Sequence, residues 1–437
     1  VVILEITIAR EKNMQYLVLG ITILMYGLII VFSEKKAFIA MAAALIMMAL
    51  GVVSPQEAFT KMVNWNVLMI FVGSLVIAEL FIYSRVPARI ADTLIDASPN
   101  VGLAIVAILM MTGFISAFVE NVATVLVMAP IALALSKKLN MTPKYFMIGL
   151  AIMANLQGTA TLVGDPPSMI FADYAHYSFN DFFFYQGKPS IFFAVQVGMI
   201  VGALYLYFYF IKAGAQKVEI EKEPVKSYVP TILLVLMILG LAAASFLHSG
   251  VSLLSGLIVV GLALVGILWY RLVCKESRET TLKMIRELDW DTTLFLIGIF
   301  IVVGEVTKVG LLDTFARILQ GWIGDNVLLG FLAIVGVSTL ISGFVDNVPY
   351  IVVMLPVAAT LARALNLRPE LYMFGLLIGS CMGGNLTPFG ASANVVSVGI
   401  LKKEGVKMGF FDWLSVGLPF TLLTTGATSL FIWLVWK

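Results

Sequence analysis

An all-α polytopic membrane protein is the fold class this sequence predicts, built as two inverted repeats of five transmembrane helices plus a re-entrant hairpin each. Three observations carry that reading. Of 437 residues, 60% are apolar and 12% charged, with a mean hydropathy of +1.00. Soluble domains carry about 25% charge, and apolar runs of membrane-spanning length recur along this chain. An acid beside an amide interrupts one such run at Phe118-Val119-Glu120-Asn121-Val122-Ala123-Thr124 and returns 226 residues later at Phe344-Val345-Asp346-Asn347-Val348-Pro349. The basic residues gather in the loops between apolar runs.

Taken in order, the first span covers 16–33 and ends at the polar turn Ser33-Glu34-Lys35-Lys36. A second covers 37–53 and stops at Ser54-Pro55, an amphipathic piece follows at 55–63, and a third span covers 66–84. Residues 85–98 read as a surface helix. The stretch 101–136 is apolar but broken near Glu120, and reads as a hairpin. Its arms, 101–118 and 122–136, fall short of the roughly 20 residues needed to cross. A span at 145–171 is interrupted by Asn155-Leu156-Gln157-Gly158 and Gly164-Asp165-Pro166-Pro167. A polar-aromatic loop at 172–189 and a span at 190–211 close the first repeat, 14–211. Residues 212–228, rich in Lys and Glu, form a cytoplasmic linker. The second repeat, 229–437, has spans near 229–247, 251–271 and 292–309 and a surface helix at 310–326. A hairpin at 327–361, a broken helix at 371–400 and a last span at 413–436 complete it.

The duplication is testable residue by residue. At an offset of 226, Phe118/Phe344, Asn121/Asn347, Met128/Met354, Pro130/Pro356, Asn140/Asn366, Pro143/Pro369, Gly158/Gly384, Thr161/Thr387 and Gly164/Gly390 are identical, and so are Glu79/Glu305. With the N-terminus outside, the inside segments hold 19 of the 28 Lys and Arg residues, as the positive-inside rule requires. Five crossings per half, an odd number, turn the second repeat upside down. Seven would do the same, so charge leaves hairpin and double span open; the short arms and the absence of a polar loop at the tip favour the hairpin.

Composition also excludes. Cys274 and Cys381 lie far apart and read as free thiols, and two histidines (His176, His248) with no Cys/His cluster argue against a chelated metal. Net charge of +2 gives no reason to expect nucleic acid. No cofactor is expected beyond a coupling ion, H⁺ or Na⁺, and no nucleophile–base constellation suggests an enzyme. No signal-peptide pattern precedes the first span; residues 1–13, ahead of Met14, read as a leader or an extraneous stretch.

The chemistry concentrates at the tips and breaks. A helix starting inside the membrane leaves its first N–H groups unpaired and its positive dipole end facing the site. Asn121 and Thr124 are suited to cap those groups, and the tips are suited to a sodium ion. Glu120 and Asp346 cost several kcal/mol at mid-membrane. They either bind a proton or sodium in turn with solute, or cap helices and pair with a cation. Asn155, Gly158, Thr159, Thr161, Gly164 and Asp165 line the first break, and Gly384, Asn385, Thr387, Gly390, Ser392 and Asn394 the second. Gly and Pro at this density interrupt a helix, and unwound backbone at depth persists where it lines a cavity. Asp165 either carries charge in the site or caps the half-helix from Pro166. Glu79 and Glu305 either relay protons or face the openings of their spans.

With these motifs in view, the chain resembles the ion transporter superfamily, in the branch holding arsenite-efflux permeases, sodium/proton antiporters and the melanosomal P protein, with a citrate-transporter-like domain. The motifs are Glu120-Asn121 with Pro130, Gly158 to Pro167, Asp346 to Pro349 with Pro356, and Gly383 to Asn394. The resemblance implies a homodimer in the lipid bilayer, with a scaffold and an elevator transport domain made of the hairpins, the broken spans and helices 190–211 and 413–436. It implies an ion-coupled secondary transporter, exchanging or exporting a small inorganic or anionic solute such as arsenite or antimonite across a prokaryotic inner membrane. The alternatives are a sodium/proton antiporter, a sodium-coupled di- or tricarboxylate transporter and an anion channel. Divalent-anion symporters of the superfamily carry Ser-Asn-Thr at both tips, where this chain has Glu-Asn-Val and Asp-Asn-Val.

Overall fold

The computed structural model describes residues 2–211, 217, 222–247, 253–324 and 326–437. Apart from one short antiparallel pair, β1 (Phe184–Tyr185) and β2 (Lys188–Pro189), its regular structure is helical. The first half runs α1 (Val2–Val31), α2 (Lys36–Ala49), α3 (Pro55–Glu57), α4 (Trp65–Tyr83), α5 (Val86–Ala97), α6 (Val101–Ser116), α7 (Asn121–Lys138), α8 (Lys144–Gly158), α9 (Pro166–Ala175) and α10 (Ile191–Phe210). The second runs α11 (Val229–Phe246), α12 (Leu254–Leu272), α13 (Arg278–Glu287), α14 (Trp290–Lys308), α15 (Leu311–Ile323), α16 (Val327–Ser342), α17 (Asn347–Ala364), α18 (Pro369–Gly383), α19 (Ser392–Lys403) and α20 (Phe410–Trp436).

Among the described residues, nine helices are long and apolar enough to cross a membrane: α4, α7, α10, α11, α12, α14, α17, α20 and the Asn13–Val31 part of α1. Three apolar helices are shorter: α2, α6 and α16. The expectation that both arms around Glu120 fall short of crossing is thus corrected: α7, like α17, runs 18 residues and is long enough, because the helix starts at Asn121 and continues to Lys138, and only the first arms are short. The protein is an all-helical integral membrane protein. Helix α1 is continuous from Val2, so residues 2–13 extend the first helix instead of preceding it. Of the expected linker, 217 and 222–228 are described; Lys212 and His248 lie outside the described residues. Its described part is fastened to α5, where Asp92 accepts from the Glu223 amide at 2.8 Å and Asp96 pairs with Lys222 at 3.2 Å.

The two halves repeat element by element. Helices α6 and α16, like α7 and α17, have bounds 226 residues apart. Each second arm ends in a left-handed asparagine, Asn140 at φ 49° and Asn366 at φ 54°, a conformation asparagine tolerates better than most side chains. Earlier in each half the register is 225. Asn64 and Asp289 cap α4 and α14 through the third residue of the helix, Trp65 matches Trp290, and Gly73 matches Gly298. The expected Glu79/Glu305 equivalence is therefore incorrect. One residue of slip is about 100° around a helix, and the two carboxylates lie in different surroundings.

Two bundles result. The outer one pairs α2 with α14 and α4 with α12, flanked by α1 and α11. Close approach at glycine sets both pairings: a Cβ on Gly298 would lie 2.8 Å from Ala40 and Met41, and one on Gly73 the same distance from Val259. The inner bundle holds α6–α10 and α16–α20, with α10 packed along α20 and α19 against α7 and α8. The aromatic loop 172–189 is pinned to it through Tyr177, Phe374 and Trp436, whose rings approach to 6.1 and 5.0 Å in turn.

Candidate functional site

Four helices of the inner bundle begin at one place: α7, α9, α17 and α19. Their first residues, Asn121, Pro166, Asn347 and Ser392, line a single cavity together with Glu120, Asp165, Asp346 and Ala391. The outer bundle adds Lys36 from α2, Phe71 from α4, and Asp289 and Thr292 from the start of α14. The cavity has a volume of about 20 Å³, enough for about one water or a bare ion.

The tip acids cap their own helices. Glu120 accepts from the Ala123 amide at 3.0 Å, and Asp346 from the Val348 amide at 3.1 Å. The expected caps, Asn121 and Thr124, do other work. Asn121 is the first residue inside α7 and donates to Asn155 at 3.2 Å, and Thr124 donates to the Val119 carbonyl at 3.2 Å. Glu120 and Asp346 hold the non-helical N-cap positions, from which a side-chain oxygen reaches the free amides, while Asn121 and Asn347 are already inside the helices. Asp165 occupies the N-cap position of α9 without making a cap bond, and its Oδ2 is buried with no hydrogen-bond partner among the described residues.

The breaks are fixed by hydroxyls placed identically in both halves. Thr161 donates to the Ala117 carbonyl and Thr387 to the Gly343 carbonyl, the latter at 2.5 Å. Ser116 donates to Ala154 at 2.9 Å and Ser342 to Ser380 at 2.5 Å. These bonds tie the ends of α6 and α16 to the C-terminal ends of α8 and α18 and the loops that follow them. Gly158 and Gly164, like Gly384 and Gly390, meet backbone to backbone; a Cβ on Gly390 would lie 2.6 Å from the Gly384 carbonyl oxygen.

A chain of amides then joins the halves. Asn155 donates to Asn385 at 3.0 Å and to Asn394 at 2.8 Å, and Asn394 donates to the Gly384 and Thr387 carbonyls, each at 2.8 Å. Thr159 is buried beside this chain and contacts the Asn155 carbonyl at 3.4 Å. Of the expected site residues, Glu120, Asn121, Asp165, Asp346, Asn347 and Ser392 reach the cavity. Thr124, Asn155, Gly158, Thr159, Thr161, Gly164, Gly384, Asn385, Thr387, Gly390 and Asn394 form the layer that holds the tips and breaks. Glu79 and Glu305 reach neither. Glu305 lies 13 residues along α14 from Thr292, about 20 Å at 1.5 Å per residue.

Sequence reasoning missed Lys36 and Asp289. Lys36 Nζ lies 2.8 Å from Asp346 Oδ2, although it was read as part of an exposed turn. Its signal was a lysine at the start of a helix, the end where cations are disfavoured. The two tips also differ in exposure. Glu120 is buried, whereas Asp346 is only partly so and lies beside the exposed Phe344 and Phe389. Among the described residues no three His, Cys, Asp or Glu side chains are grouped closely enough to hold a metal ion. Both cysteines are free, and Cys381 is buried.

Spanning helices that stop at a small polar cavity, in a chain with internal duplication, define an integral membrane transporter. The profile of the citrate transporter family matches residues 26–368 and 331–437, and the chain belongs to that family, within the ion transporter superfamily. It is therefore a secondary transporter, not a member of an enzyme family. It is 29% identical over 436 residues to an uncharacterized transporter of Mycobacterium tuberculosis, covering 95% of this chain and 98% of that one. It is 24% identical to the P protein of Mus musculus, covering 91% of this chain and 58% of that protein. In fold it resembles the YdaH transporter of Alcanivorax borkumensis, with TM-score 0.62, 13% identity and 96% and 97% of the two chains covered. It also resembles MtrF of Neisseria gonorrhoeae, with TM-score 0.54, 17% identity and 89% and 83% covered.

Proposed function

We propose that the chain is a proton- or sodium-coupled secondary transporter of a small anionic or oxyanion-type solute, working by an elevator movement between inverted repeats. The observation that carries this reading is the charge around the cavity. Glu120, Asp165, Asp289 and Asp346 face one lysine, Lys36. The starts of α7, α9, α14, α17 and α19 meet there, each worth about half a positive charge. Together with Lys36 they offset most of the charge that four ionised carboxylates would carry. Each proton or sodium ion bound there shifts the balance towards positive and favours an anion. Cation and solute are coupled by this shift.

In this reading 101–136 and 327–361 are re-entrant hairpins within the repeats 14–211 and 229–437, joined by the linker 212–228. The inner bundle moves as the transport domain and the outer bundle is the scaffold of a homodimer. The exposure of Asp346, Phe344 and Phe389 supports reading this as a one-sided state, and the bacterial relatives support a bacterial cytoplasmic membrane as the setting. A second reading, sodium/proton antiport, draws on the cavity's size, which suits an ion and is too small for citrate in this state. Arsenite and antimonite belong in the solute screen on the strength of the resemblance alone.

The test is flux in proteoliposomes. Arsenite, antimonite, citrate, succinate and chloride are offered with an imposed pH or sodium gradient, and with neither. Saturable flux driven by the gradient supports the proposal. Unsaturable flux that follows the solute gradient alone identifies a channel, and cation exchange with no solute identifies an antiporter.

A further inference from the structure

We infer that Lys36 is an internal competitor for the coupling cation at Asp346, holding the second tip until a proton or sodium ion displaces it. This rests on the cation-coupled reading above and assigns a residue that reading does not require. The ammonium lies 2.8 Å from the Asp346 carboxylate, so an ion binding that oxygen must move it. An alternative partner is at hand, since Asp289 lines the same cavity and Asp289 and Asp291 both act electrostatically on Lys36.

The pair also joins the two bundles. Lys36 begins α2, which packs on α14, whereas Asp346 caps α17 in the inner bundle. Tyr26 of α1 adds a second link there, donating to the Pro349 carbonyl at 2.9 Å. Lysine is disfavoured at the first turn of a helix, and here the Asp346 carboxylate 2.8 Å away offsets that cost.

The pseudo-equivalent position shows that the lysine is not a general part of the repeat. Gly298 abuts Ala40 and Met41, while its counterpart Gly73 abuts Val259 and Val260. That registers α2 on α12 and places Ser255 where Lys36 stands in the first half. The Glu120 tip thus has no tethered cation from the equivalent position, and its carboxylate is available to a mobile one. Two tips with the same acid-amide pair are thereby given different tasks.

The experiment is a titration of gradient-free solute exchange in proteoliposomes. Sodium is varied against choline at constant ionic strength, and pH is varied separately, for wild type, Lys36→Gln and Lys36→Arg. For whichever cation drives wild-type transport, Lys36→Gln is expected to lower the half-saturating concentration at least tenfold. Lys36→Arg, whose guanidinium grips a carboxylate in two places, is expected to raise it severalfold and serves as the test if Lys36→Gln does not fold. A midpoint unchanged in the variants that fold overturns the inference. Glu120→Gln is run alongside. Loss of cation dependence there, with unmoved midpoints in the Lys36 variants, leaves coupling in place and reduces Lys36 to a structural tie. No cation dependence in wild type removes the coupled reading itself.

Discussion

Asn155 donates to Asn394 Oδ1 at 2.8 Å across 239 residues of chain, joining the broken helix of one half to that of the other. The same amide donates to Asn385 and accepts from Asn121. Removing it strands three buried polar groups. Asn155→Leu is expected to cost about 1–3 kcal/mol, the range for orphaned buried groups. The check is a thermal melt in detergent, where an unshifted transition would show that the amide chain does not bind the halves together.

Gly164 and Gly390 predict a symmetric outcome. A Cβ on Gly390 would lie 2.9 Å from the Gly343 carbonyl oxygen, and one on Gly164 would lie 2.8 Å from that of Ser116. No flexible side chain is there to yield, so Gly164→Ala and Gly390→Ala should each destabilise by about 1–3 kcal/mol and stop transport. If either variant keeps wild-type flux and melting temperature, the backbone contact is dispensable.

Glu305 and Glu79 should part company. Both oxygens of Glu305 are buried with no hydrogen-bond partner among the described residues, whereas Glu79 is half-buried. Glu305→Met removes an unpaired buried acid and is expected to raise stability by about 1–3 kcal/mol, while Glu79→Met is close to neutral. Gradient-driven flux should survive both. Its loss in either variant would restore the proton-relay role that their distance from the cavity argues against.

Much of this architecture was legible in the sequence because membrane helices announce themselves by composition and because duplication repeats polar residues that chance does not. Glu120, Asp346, the Gly–Pro breaks and Asn140 with Asn366 all stood out for that reason. The register slip was masked. Two glutamates aligned at 226 conceal a one-residue shift that the caps Asn64 and Asp289 and the pairs Trp65/Trp290 and Gly73/Gly298 reveal. The caps were misassigned because asparagine and threonine are ordinary helix caps, and nothing local shows that Asn121 is drawn toward Asn155. Lys36 was hidden because its partner lies 310 residues away, and a lysine beside Ser33-Glu34-Lys35 reads as a loop charge.

The most direct test of the central claim is solute flux into proteoliposomes under an imposed pH or sodium gradient, comparing wild type with Glu120→Gln. The account predicts that the gradient accelerates wild-type flux and that Glu120→Gln, folded and with an unchanged melting temperature to within a few degrees, no longer responds to it. Equal acceleration in both proteins would contradict the account and remove the Glu120 tip from the coupling step.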